Sequence, residues 1–417
     1  MQASNGNNSH SSVSAGHKPR LRRALSMPLL TLYGLGVTLG AGIYVLVGAT
    51  AQEAGIYAPI AFLCAAVVVG VTALSYAEFA TRLPVSAGEA AYIDAGFGLD
   101  RLTLLVGLLV TLSGIFSASA VSIGAASYLS EITGLPIPVL AILTVLVMGG
   151  LAIWGIAESV TVAAIITTIE LVGLLLVIGW SLSSDSQTGV SIAELIPPLE
   201  PEHWLGIGSA TVLAFFAFIG FEDMANVAEE VKDPTYTFPR AVILTLAITT
   251  ILYVCVTSAV ILTVPMDQLA GSTAPLSLVF EGAPRAVRDG FAGIAVIATV
   301  NGILIQIIMA SRVVYGLADR GLISKRLAAV SERTRTPIIA TLVVMAVVIL
   351  LAQLFPIASL AESTSMIVLV VFTLVNIALF RLKRRGDRPS ACFFEVPAAI
   401  PLIGAVISAA LLLIGLL

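Results

Sequence analysis

The sequence predicts an all-α, polytopic membrane protein, and three observations lead there. Hydrophobic residues fill 58% of the 417 positions and charged residues only 11%, against roughly 45–50% and about a quarter in an ordinary soluble domain. The mean hydropathy is +1.04. The apolar residues gather into eleven stretches, each long enough to cross a hydrocarbon core of ~30 Å as a helix. Basic residues then fall almost wholly on one side of the alternation between stretches. A soluble enzyme, nucleic-acid binder or disordered scaffold of this composition could not cover its own surface, so those classes are excluded. The net charge of −4 gives no reason to expect a nucleic-acid partner.

Residues 1–26 open with a polar, low-complexity stretch and the basic cluster Lys18, Arg20, Arg22 and Arg23. They read as a disordered cytoplasmic tail before a first helix that is retained, with no cleavable signal peptide. Helices are expected at about 27–50, 58–81, 102–130, 137–155 and 159–181, which form a first half within 27–181. A loop at 182–204 follows. The second half, 205–380, holds helices at about 205–228, 241–263, 290–316, 337–355 and 359–380. The last segment, 381–417, is a basic loop and an eleventh helix at 397–416.

With the N-terminus inside, every Lys and Arg except Arg285 and Arg288 lies in a cytoplasmic segment. The loop 182–204 carries Asp185, Glu194, Glu200 and Glu202 and no basic residue. That asymmetry is the positive-inside pattern, and a miscounted helix would scramble it. Eleven spans put the C-terminus outside, with a twelfth helix expected only if the chain continues. Trp154, Trp180 and Trp204 stand at span ends, where interfacial anchors belong.

The first span, MPLLTLYGLGVTLGAGIYVLVGAT, centres on Gly40-Ala41-Gly42. Glycine inside a helix costs about 1 kcal/mol relative to alanine and lets the backbone leave helical geometry. Small residues also permit close helix packing, so this span taken alone leaves both readings open. The sixth span, WLGIGSATVLAFFAFIGFEDMANVAEEVKDP, has an aromatic cluster, then Gly220, Glu222 and Asp223. Either 204–221 crosses the membrane and leaves the acids at the inner interface, or this helix is broken too. The two spans begin the two five-helix halves, and matched interruptions in corresponding positions point to a transporter's midplane site. Free N–H groups near Gly40, Ala41 and Gly42 suit a carboxylate. Unpaired carbonyls near Phe216 and Ile219 suit an ammonium group, so a zwitterionic α-amino acid fits the pair.

These stretches, with Ser75–Gly98 (SYAEFATRLPVSAGEAAYIDAGFG) and Ser311–Pro337 (SRVVYGLADRGLISKRLAAVSERTRTP), resemble the amino acid–polyamine–organocation transporters, especially the branch similar to cationic amino acid transporters. The resemblance runs from about residue 24 onward. It implies the 5+5 inverted-repeat, leucine-transporter-like fold, with helices 1 and 6 broken. It further implies that Gly40, Ala41, Gly42 and Ile43 hold the substrate carboxylate, that Phe216, Ile219 and Gly220 hold the amine, and that Phe216 gates the site. Glu222 would tie inner helices together or respond to pH. Ser113, Ser117, Asn301 and Gln306 are candidates for the side-chain pocket, although most serines in such helices back-bond or pack.

The chain departs from the family pattern in two places. Proton-coupled relatives carry a lysine in helix 5 where this sequence has Glu170 near the bilayer centre. A charge there costs at least ~2.5 kcal/mol. Glu170 is expected either to take and release a proton during the cycle or to stay protonated against a neighbouring helix. Helix 8 lacks the adjacent Ser/Thr pair of sodium-coupled relatives, with Thr299 alone, so proton coupling or exchange is favoured.

Glu78 is expected to pair with Arg82 one turn later, and Arg381–Arg388 to act as a topology signal. Cys64, Cys255 and Cys392 are expected to be small packing residues. No catalytic triad, metal cluster, cofactor motif or nucleotide loop is present. The expected function is a secondary permease for amino acids or related amines in the plasma membrane, with protons and the lipid bilayer as further partners. The alternative is a membrane amino-acid sensor that does not transport.

Overall fold

A computed structural model describes residues 25–83, 88–154, 160–183, 188–319, 323–334, 336–386 and 393–416. The N-terminal tail, Pro84, Asp185 and Cys392 lie outside them. The helices are α1 (Met27–Thr38), α2 (Ala41–Ala54), α3 (Ala58–Arg82), α4 (Gly88–Phe97), α5 (Asp100–Thr133), α6 (Ile137–Trp154) and α7 (Val160–Ser183). They continue as α8 (Pro201–Phe216), α9 (Pro234–Thr263), α10 (Met266–Leu269), α11 (Arg285–Asp319), α12 (Ile338–Leu354), α13 (Ile357–Arg385) and α14 (Ala399–Ile414). Among the described residues there is no β-strand, only an isolated parallel bridge between Leu25 and Val231. Eight segments are long and apolar enough to cross a membrane, and α1, α12 and α14 are shorter apolar helices.

These helices are apolar on most of their circumference because two different surroundings both favour it. One face packs against protein. The other carries Val67, Val139, Ile165, Leu205 and Ile251, all more than half exposed, as befits side chains meant for lipid rather than water. α5 and α11 pack along much of their length, α2 lies on α8, α1 on α7 and α9, and α3 on α9. The interhelical surface is rich in small residues. Gly124 faces Val45, Gly173 faces the Tyr44 hydroxyl and Gly149 faces Met345, so no room is left for a Cβ and backbones approach closely.

The expected spans stand within a few residues of the helices, and the differences have local causes. α9 begins at Pro234, seven residues earlier than the expected 241, because Asp233 turns the chain in the left-handed region (φ 47°) and Pro234 occupies the first helical turn. α13 continues to Arg385, where Gly386 in the left-handed conformation ends it. The inner loop after α3 contains a helix of its own, α4, whose Tyr92 stacks on Phe79 at 4.5 Å.

Buried polar groups lock the helices at fixed registers. Asn376 of α13 donates to Thr72 Oγ1 (3.0 Å) and to the Phe372 carbonyl (2.9 Å), and its Oδ1 accepts from Ser75 (2.7 Å). At the basic end of the bundle the expected Glu78–Arg82 pair is present at 2.7 Å and fully buried. It is larger than expected. Lys383 Nζ lies 2.8 Å from the same carboxylate, and the Val396 N–H donates to its other oxygen at 2.8 Å. Arg82 also covers the Phe393 ring, and Arg381 the Phe97 ring. The basic run is therefore built into the packing, and reading it only as a topology signal was incomplete: α13 carries its first residues onto α3 and α4. Cys255 is exposed and Cys64 half-buried. Cys255 thus does not serve as a packing residue, since its face of α9 turns outward.

Candidate functional site

The first span is interrupted at Leu39-Gly40. α1 ends when the Leu39 N–H bonds to the Leu35 carbonyl, Gly40 takes a non-helical conformation (φ −41°, ψ −150°), and α2 starts at Ala41. No side chain caps α2. Its first N–H groups, at Ala41 and Gly42, consequently have no partner within the helix and carry the positive end of its dipole. Gly42 packs on the Ala217 backbone so tightly that a Cβ would overlap it.

The second interruption is longer. α8 ends at Phe216, the N–H groups of Ala217, Phe218 and Ile219 bond back three residues as the helix tightens, and Gly220 turns the chain with φ 128°. A 3₁₀ segment, Phe221–Glu230, follows in place of α-helix. Only glycine suits this turn, because the conformation is left-handed and the backbone rests on the Val37 carbonyl. The sixth span is thus broken, and the reading in which 204–221 simply crosses the membrane is set aside.

One hydroxyl joins the two breaks. Tyr253 Oη, on α9, lies 2.6 Å from the Thr38 carbonyl and 2.8 Å from the Ala217 carbonyl, where each helix gives out. Its ring is held edge-on by Phe62 and Phe218. Sequence reasoning did not single out Tyr253. The available signal was a tyrosine within the apolar run ILYVCVTSAV, since a buried phenol must find an acceptor.

A cavity of about 50 Å³ lies between the breaks. Gly40, Ala41 and Gly42 line it from one side, Phe216 and Ile219 from the other, and Asn301 from α11. A larger cavity of about 250 Å³ adjoins it toward the basic end, lined among others by Ser113, Glu89, Glu222 and Phe372. Ser117, Ile219, Asp223 and Gln306 line both. Ile43 and Gly220 line neither. Ile43 is wholly buried, and Gly220 is the turn itself. The Phe216 carbonyl already accepts the Ile219 N–H at 3.1 Å, so the expectation of an unpaired carbonyl there is corrected: only its second lone pair remains. Ser113 back-bonds to Val110 at 2.8 Å.

Glu222 Oε2 accepts the Gly220 N–H at 2.9 Å, which braces the second turn, and the residue faces the larger cavity. Glu170 is fully buried on α7 and lines neither cavity. Tyr44 of α2 donates to its backbone carbonyl at 2.8 Å, and Tyr128 of α5 donates in turn to the Tyr44 carbonyl. Tyr44 stands one turn beyond Gly40, so α7 is tied directly to the helix that begins at the first break.

A helical membrane protein whose two interrupted spans line one internal cavity has the build of a solute carrier: non-helical backbone at membrane depth is tolerated where it is buried in protein or lines a wet cavity. The chain belongs to the amino acid permease family, which it matches over residues 25–417. It is 32% identical to the branched-chain amino acid permease BcaP of Bacillus subtilis (strain 168), across 92% of this chain and 85% of that protein. It is 30% identical to cationic amino acid transporter 2, vacuolar, of Arabidopsis thaliana, across 88% of this chain and 61% of the plant protein. It is 28% identical to the methylthioribose transporter of Bacillus subtilis (strain 168), across 92% and 87%.

Proposed function

We propose that this protein is a secondary transporter of α-amino acids across the plasma membrane, with its N-terminus in the cytoplasm. It works by alternating access between two five-helix repeats, 27–181 and 205–380. The observation that carries the reading is the opposition of the two breaks around one cavity. The substrate carboxylate is received by the N–H groups of Ala41 and Gly42 at the start of α2, with Gly40 giving it backbone access. The ammonium group is received on the Phe216–Ile219 side, where a helix ends and its dipole is negative. Phe216 closes over the occupied site and excludes water. The permease of branched-chain amino acids and the cationic amino acid transporter, the two relatives above at 30% identity or more, support amino acids, while the methylthioribose transporter at 28% carries a different solute in its name.

Glu170 is the proposed proton carrier. A proton arriving at or leaving its carboxyl changes the surroundings of the Tyr44 hydrogen bond, and through it the seat of α2. Purified full-length protein in proteoliposomes tests the whole reading. Radiolabelled amino acids should accumulate when the lumen is alkaline, and Glu170→Gln should abolish accumulation while leaving exchange. Binding without flux would favour the sensor instead. Accumulation unchanged in Glu170→Gln would remove the proton role and leave transport standing.

A further inference from the structure

We propose that Gln306 of α11 is a specificity-determining residue, which selects a solute with a neutral carboxamide side chain over an aliphatic one of the same shape. The proposal deepens the transport reading and rests on it. Four residues line both cavities: Ser117 from α5, Ile219 and Asp223 at the second break, and Gln306. They form the passage between the small cavity of about 50 Å³ and the larger one of about 250 Å³. An α-amino acid held at the breaks fills the small cavity with the part that all amino acids share. Its side chain leaves through this passage, so Gln306 stands where one solute begins to differ from another.

The polar groups of the two cavities are in different conditions. Tyr76 donates to Glu89 at 3.3 Å, and the Gly220 N–H donates to Glu222 at 2.9 Å, so these acids are engaged from within the protein. Gln306 Oε1 is buried and accepts from no donor among the described residues. It lies over Gly114 of α5, where a Cβ would come within 3.0 Å of it, so glycine leaves room for the carboxamide at the cavity wall. A buried acceptor without a donor is costly, and a ligand that brings the donor recovers the cost on binding. A carboxamide side chain donates an N–H to Oε1 and accepts from the Gln306 amide, so the two amides pair reciprocally. Methionine has similar length and bulk and offers no donor. Asn301 has the other role. It is 7% exposed, its Oδ1 also lacks a donor, and it lines the small cavity but not the larger one. It therefore meets the shared end of the solute and adds affinity without selection.

The test compares L-glutamine, L-methionine and L-lysine. Binding of each to detergent-purified, full-length protein is measured by competition against a radiolabelled amino acid that the wild type binds. Glutamine should bind about fivefold or more tightly than methionine and no more weakly than lysine. Gln306→Met and Gln306→Leu, which keep the bulk of the side chain, should bring the glutamine-to-methionine ratio close to unity while methionine still binds, and that retained binding shows the variants are folded. Asn301→Leu should weaken both solutes alike and keep the ratio. Methionine binding as tightly as glutamine to the wild type overturns the assignment. Lysine binding more tightly than glutamine overturns it too, because charge is then what the site reads. A ratio that survives both Gln306 substitutions also overturns it, since selection then lies elsewhere. These three results leave amino acid transport standing, whereas binding of no amino acid at all overturns both readings.

Discussion

The two helix breaks solve the same problem in different ways. The first interrupts its span for only two residues, Leu39 and Gly40, before α-helix resumes. The second unwinds across 217–220 and then continues as 3₁₀ helix whose first turn carries Glu222 and Asp223. The brevity of the first leaves a fresh helix N-terminus, and so a set of N–H donors aimed at the cavity. The length of the second leaves carbonyls and carboxyl groups. Carbonyls stand at both breaks, at Thr38 and Ala217, and the proposed transport site uses the N-terminus of α2 at one and the C-terminal end of α8 at the other. The single hydroxyl of Tyr253 touches a carbonyl at each break, and the contacts of Gly42 with Ala217 and of Gly220 with Val37 hold their spacing alongside it.

The comparison breaks most completely if either break is filled. Gly220→Ala puts a Cβ into the Val37 carbonyl in a backbone conformation that L-residues rarely adopt. Gly42→Val drives a larger group into Ala217. Both should reduce uptake below detection, and Gly220→Ala should also lower the yield of folded protein on size-exclusion chromatography. Uptake near the wild-type level in either variant would mean that the breaks are not where the solute binds.

Glu78→Ala is the next largest effect and lies outside the breaks. It leaves Arg82 and Lys383 buried without their carboxylate, and losing one partner of a buried pair costs about 3–5 kcal/mol. Thermal unfolding in detergent should shift downward by many degrees. An unshifted transition would show that the cluster at the basic end does not hold α3 to α13.

Tyr253→Phe sharpens the comparison. It keeps the ring packing of Phe62 and Phe218 and removes only the bridge. The carbonyls of Thr38 and Ala217 then lose a donor, at about 1–3 kcal/mol if both stay dry. Uptake should slow about tenfold or more with folding preserved. An equal slowing in a variant far from the breaks, such as Asn376→Leu, would assign the effect to general loosening. Asn376→Leu should cost about 1 kcal/mol or more for the lost bonds to Thr72 and Ser75 and change uptake less than Tyr253→Phe. Cys255→Ser, on an exposed face of α9, should stay within about 0.5 kcal/mol of wild type.

Much of this was legible from residues in order. Long apolar runs read as spans, so the approximate limits of most of the apolar helices followed from hydropathy. Gly40, Gly42 and Gly220 marked the breaks because no other residue gives up helical geometry so cheaply. Glu78 and Arg82 are one turn apart on one helix, and local spacing was enough to pair them. Lys383 and Val396 were not legible, since they reach Glu78 from more than 300 positions away and no local pattern records that. Tyr253 was missed for the same reason, and Asn376 with it. Ser113 does line the larger cavity, with its hydroxyl donating to the Val110 carbonyl of its own helix.

The sequence by itself determined that this chain is a bundle of apolar helices, two of which carry glycines where a break is possible, because backbone propensity and transfer into lipid are properties of short segments. Only the tertiary structure decided that the two discontinuities line one cavity. It alone also gathered Glu89, Glu222 and Asp223 at one cavity and tied α1, α8 and α9 through one phenol. Those facts depend on which helix faces lie together, and that is settled by packing across the whole molecule.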